Sequence, residues 1–187
     1  MKKMKIGIFL LLPFLLASPV YADTFINGGF ESGDFTGWTK NGGYFYGAGG
    51  YTYYGDPGKS AIVTPGMDPL TNYQLPMVAY GNYAARVNNY DWGYHFSTLS
   101  QRVNNYTDSH IYFAWAAVLE EPPNYHGPDN APNFSIILRD LTTNTEVYNV
   151  TFNVYQPPAG VNWRKGATGP PNDSGSTWYF TEWVIQD

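Results

Sequence analysis

Glycine and proline punctuate this chain so densely that little except short strands and turns fits between them. The 187 residues include 20 glycines and 14 prolines, spread along the chain. No stretch keeps the apolar spacing of a helix over three turns. Short runs of period two appear instead, bounded by Gly, Pro, Asn and Asp, which is the pattern of an all-β sandwich or barrel.

The clearest run is 146–154, where Tyr148, Val150, Phe152 and Val154 alternate with Asn149, Thr151 and Asn153. One face of such a strand is buried and the other is polar. Residues 133–140 place Phe134, Ile136 and Leu138 on one face, and 141–145 form a hairpin connection between the two runs. Residues 110–119 are apolar on both faces, which predicts a central strand covered on both sides. A buried helix is the rival reading, and the aromatics there weigh against it. Further strands are expected at 24–30, 38–46, 83–87, 96–103 and 178–187, with long loops at 47–59, 120–132 and 156–177. An apolar strand at the very end would leave an open sheet edge. The expectation is therefore a C-terminal truncation that removes one or two strands of the sandwich.

The first 22 residues are set apart. Lys2, Lys3 and Lys5 precede an apolar stretch, and Val20 and Ala22 occupy the small-residue positions of a cleavage site, as in a secretory signal. The stretch is shorter than the ~20 residues of a membrane-spanning helix, so an anchor is the weaker reading. Residues 23–187 then form a single domain, secreted or held at the cell surface. Loss of the three lysines leaves seven basic residues against fifteen acids, a net charge of −8. That balance argues against nucleic acid as a partner. With no cysteine, an exported domain has no disulfide to lean on and depends on burial. Aromatics are 18% of the chain, which excludes an extended disordered chain.

The segment Phe25-Ile26-Asn27-Gly28-Gly29-Phe30-Glu31-Ser32-Gly33-Asp34-Phe35-Thr36-Gly37-Trp38 resembles the opening of exported bacterial domains of the galactose-binding-like jelly-roll type. These are similar to carbohydrate-binding module families four and nine, and many occur in proteins with a PEP-CTERM sorting tail. The resemblance extends to Gly81-Asn82-Tyr83-Ala84-Ala85-Arg86-Val87-Asn88, to Ser100-Gln101-Arg102-Val103, and to residues 112–120. It implies a jelly roll of two antiparallel sheets. It also implies a structural calcium ion, with Glu31 as a ligand alongside backbone oxygens and an acid near the last strand. One Glu cannot supply the six to eight oxygens calcium takes. Gly28 and Gly29 suit a bulge or positive φ, Gly33 and Gly37 suit tight turns, and Trp38 would cap the core.

Aromatic residues in the loops carry the case for binding. Sugar C–H faces pack on Tyr and Trp rings while hydroxyls pair with Asn, Asp and Gln. Tyr53, Trp92, Tyr94 and Tyr125 are the candidate ligand-binding residues, against the reading that such rings fill core. Glu120, Glu121, His126 and Asp129 form an acidic group that a metal or an acid pair for glycoside hydrolysis would need. Neighbouring Glu residues on a strand end point opposite ways, however, so a solvated loop is the better reading. His95 and His110 have no evident catalytic partner, and no nucleophile elbow, zinc-protease or phosphate-loop motif occurs. The sequence therefore points to a non-catalytic, carbohydrate-binding module for cell-surface or extracellular polysaccharide. The alternative is a structural or adhesive surface protein with no specific glycan site.

Overall fold

The computed structural model describes residues 24–45, 51–53, 55, 59–89, 94–122, 127–169 and 175–187. The expected leader lies outside them. Among the described residues twelve strands are present: β1 Thr39–Phe45, β2 Tyr51–Tyr53, β3 Ala61–Val63, β4 Ala84–Arg86, β5 His95–Ser100, β6 Phe113–Trp115, β7 Val118–Glu121, β8 Asn133–Asp140, β9 Thr145–Asn153, β10 Arg164–Thr168, β11 Thr177–Phe180 and β12 Val184–Gln186. A 3-10 turn, Pro69–Thr71, is capped by Asp68, whose carboxylate accepts from Leu70 N at 2.7 Å. Every strand pairing among the described residues is antiparallel. The orders are β2-β1-β5, β10-β11-β7, β12-β6, β3-β4 and β8-β9. The chain is all-β, as its punctuation requires.

The β8–β9 hairpin follows the alternation read from the sequence. Phe134 faces Phe152, Ile136 faces Val150 and Leu138 faces Tyr148 across the pair. Val147 is an extra residue in β9, because Leu138 pairs with Tyr148 but Arg139 pairs with Glu146. Asp140 Oδ1 accepts from Thr142 N at 2.7 Å, and Asn144 turns the chain with φ 55°. An Asx-turn and a left-handed Asn are the chemistry such a connection calls for.

The main core lies between this hairpin and the β6/β12 ribbon. Trp115, Ala117 and Phe152 are buried at its centre, with Phe113, Leu119, Phe134, Ile136, Val150, Trp163 and Val184 packed around them. The rings of Trp115, Phe134 and Phe152 stand 5.3–5.5 Å apart by centroid. Residues 113, 115, 117 and 119 all reach this core, which is the period of one strand.

The expected single strand 110–119 is instead two, β6 and β7, and the expected strand 178–187 is also two, β11 and β12. The break is a β-bulge. Trp115 pairs with Val184 and Val118 pairs with Phe180, so two residues, Ala116 and Ala117, oppose three, Thr181, Glu182 and Trp183. Thr181 N donates to Ala117 O at 3.0 Å, and Ala117 N donates to the Thr181 hydroxyl at 3.0 Å. A side-chain oxygen thus stands in where the ladder lacks a carbonyl.

Three other expectations change. Residues 24–30 are turns, not a strand, because Asn27 and Phe30 adopt φ 51° and 61°. The expected loop 156–177 contains β10, and the expected loop 47–59 contains β2. Strand β10 reads as Arg-Lys-Gly-Ala-Thr, without apolar alternation, and forms because it pairs with β11 and packs on the 3-10 turn. A Cβ on Gly166 would meet the Leu70 carbonyl and stand 3.0 Å from Thr71 Cα, so only glycine allows this approach.

Trp38 caps a separate aromatic cluster rather than the main core. Its ring lies 6.4 Å from Phe25 and 5.1 Å from Phe30. Its Nε1 donates to Asn27 O at 3.1 Å. Gln101 brackets Ile26, accepting from its N at 2.7 Å and donating to its O at 2.8 Å. The opening is thereby tied to the residues after β5.

Candidate functional site

Glu31 and the segment Gly81-Asn82-Tyr83 lie far apart in sequence and meet in the fold. Glu31 Oε1 accepts from Asn82 N at 3.0 Å and Tyr83 N at 3.3 Å, and Oε2 accepts from Asn82 Nδ2 at 3.1 Å. The Asn82 backbone N–H, then its side chain, hold the Glu31 carboxyl below the ordinary glutamate range. Gly81 turns with φ 76°, and a Cβ there would collide with the Glu31 carboxylate. The two motif segments are therefore halves of one clasp. N–H donors surround this carboxylate. Among the described residues no group of three or more His, Cys, Asp or Glu lies together here, so any calcium ligands beside Glu31 would have to be backbone or amide oxygens.

Of the candidate binding residues, Tyr94 precedes β5 and is 70% exposed. Trp92 and Tyr125 lie outside the described residues, as does His126. Tyr53 is in strand β2, its backbone opposite Gly43, and its side chain also lies outside the description. Tyr73, Tyr80 and Tyr112 are exposed to the same degree as Tyr94.

Glu120 and Glu121 lie in strand β7 rather than in a loop. Glu120 Oε1 accepts from the buried Ser176 hydroxyl at 2.5 Å. Glu121 belongs to the other face, beside Tyr179, whose hydroxyl is pushed up first by burial and then by the Glu121 charge. The two acids do not converge. His95 lies against the Tyr44 ring at 4.2 Å, and His110 Nδ1 is 2.7 Å from the Ser109 hydroxyl.

A cleft that these readings did not anticipate lies beside the 3-10 turn. Two open hollows of about 280 and 300 Å³ adjoin, and Arg164 and Glu182 line both. Gln74, Leu75 and Pro76 form one wall of the first, facing Phe180 and Trp183. Arg164 Nη1 donates to Glu182 Oε1 at 2.7 Å and Nη2 donates to Gln74 Oε1 at 2.7 Å. The guanidinium also sits 5.1 Å from the Phe180 ring centroid. Trp183 Nε1 donates to Pro76 O at 2.8 Å, which fixes its ring. Ahead of Gln74, Asn72 and Tyr73 adopt φ 54° and 57° in succession. A bulky residue in that region is an outlier, and such strain gathers at ligand clamps.

No spacing motif marks this cleft, because its residues come from three separated segments. The only local signals are the polar Gln74 two residues before Pro76 and the Glu182-Trp183 pair within an apolar stretch. Comparison with protein-family models, with curated proteins and with solved structures found no match.

Proposed function

We propose that this chain is a secreted, non-catalytic carbohydrate-binding β-sandwich of jelly-roll type that engages cell-surface or extracellular polysaccharide. The observation that carries the reading is the exposure of Tyr73, Tyr80, Tyr94 and Tyr112, from 69% to 72%. Rings this exposed are accessible for the C–H faces of sugars to stack on. Affinity electrophoresis and a glycan array test it. Retardation by at least one polysaccharide of a broad panel is expected, weakened by Tyr94→Ala. Free migration through every polymer would sink the reading.

A structural or adhesive role is the second reading. It is favoured by Ile137, Leu141 and Val147, which are exposed on and beside the outer face of the hairpin. Concentration-dependent self-association that is abolished by Ile137→Ser would favour it over glycan recognition.

A further inference from the structure

We infer that the cleft built on Arg164, Glu182 and Trp183 is a further glycan subsite, additional to the exposed tyrosines, and that it selects a neutral polysaccharide. This rests on the carbohydrate-binding reading above. The two hollows, of about 280 and 300 Å³, are open to solvent, as a groove for a polymer rather than a pocket for a small molecule would be. Because Arg164 and Glu182 line both, a chain crossing from one to the other passes over the ion pair.

The chemistry suits hydroxyls. Arg164 spends one N–H on Glu182 and one on Gln74, and a guanidinium carries five. Glu182 is engaged through Oε1, and its side chain is 74% exposed. A donor array and an acceptor therefore lie side by side, which is what adjacent sugar hydroxyls require, since each both donates and accepts. Trp183 supplies an apolar ring surface. The Trp183–Pro76 bond and the Arg164 contacts hold both side chains in place before any ligand arrives, so little ordering is left to pay on binding.

Neutrality follows from charge. Glu182 already balances Arg164 at 2.7 Å, and the whole chain carries a net −5. Uronate or sulfated chains meet no uncompensated cation here and an unfavourable long-range field.

The test is affinity electrophoresis of the full chain in gels containing galactomannan, xylan or laminarin, against alginate and polygalacturonate. Retardation by a neutral polymer is expected, with Kd raised at least tenfold by Trp183→Ala. Glu182→Gln, at an exposed position, is the second variant. It unmasks the Arg164 charge and should shift preference towards the acidic polymers, a change that loss of folding cannot mimic. Neutral-polymer binding unaltered in both variants overturns the cleft and leaves the carbohydrate-binding reading standing. Binding of the unaltered protein to polyanions alone overturns the neutral preference. No retardation by any polymer overturns both.

Discussion

Thr181 is the residue whose loss tests the fold most sharply. Its hydroxyl accepts the Ala117 N–H at 3.0 Å, and the two residues are 1% and 2% exposed. Thr181→Val keeps the shape and the branching but removes the acceptor. No cavity opens, so the cost isolates one buried donor left without a partner, about 1–3 kcal/mol. In a domain of this size each kcal/mol moves Tm by roughly 2–4 °C. A fall of about 4–8 °C is expected for a mid-range cost of about 2 kcal/mol. Urea unfolding followed by tryptophan fluorescence should show a lower midpoint at unchanged m, the sign of a stability change alone. Thr181→Ser retains the oxygen and should lose only about a methyl's worth, near 0.8 kcal/mol. A Thr181→Val protein that unfolds with wild-type midpoint would refute the reasoning, because the Ala117 N–H would then have another partner.

Four further perturbations probe other parts of the structure. Gly166→Ala drives a methyl into the backbone of the 3-10 turn and should destabilise by about 1–3 kcal/mol in urea. Phe152→Ala empties the centre of the main core, where the Trp115, Phe134 and Trp163 rings surround it, and should cost about 3–5 kcal/mol by the same assay. Glu31 has a depressed folded-state pKa, so its contribution is complete above the unfolded value, about 4.3, and is lost as pH falls through the folded one. Tm against pH should therefore fall less steeply at acid pH in Glu31→Gln. Millimolar calcium tests the metal expectation: a Tm rise in wild type that Glu31→Gln lacks makes Glu31 a ligand, and an unchanged Tm makes the clasp purely a backbone tie.

How much of this was legible depended on whether the information was local. The β8–β9 hairpin was readable because each residue reports its own face through alternation, and Asn144 marks the turn. The turns at 24–30 were not, because Phe30 at φ 61° is a conformation its residue type rarely adopts. Strand β10 was hidden by its composition; its reason to be a strand lies in β11 and in the close pass of Gly166 by Leu70. The clasp of Glu31 on Asn82 was half visible. Both segments stood out in the sequence, but nothing local says that one carboxylate reads the other's backbone. Of the four candidate binding residues, the described structure places one side chain, Tyr94, which is exposed. The Arg164 cleft was illegible because topology alone assembles it.

The bulge at Thr181 explains why core and cleft share one strand pair. On β11, Trp178 and Phe180 are buried on the side of the 3-10 turn, while Tyr179 pairs with Leu119, which packs on the main core. A regular strand would carry that parity onward and send Val184 to the cleft side and Trp183 to the core side. The extra residue inverts it: Val184 packs on Trp115 in the main core, lining only the second hollow, and Trp183 lines the first hollow with Pro76 and Phe180. Register is relational, set by two residues facing three, so neither strand's sequence announces it. One inserted residue therefore fixes both the apolar partner of Trp115 and the aromatic wall of the cleft, and the Thr181 hydroxyl satisfies the ladder N–H which that insertion would otherwise strand.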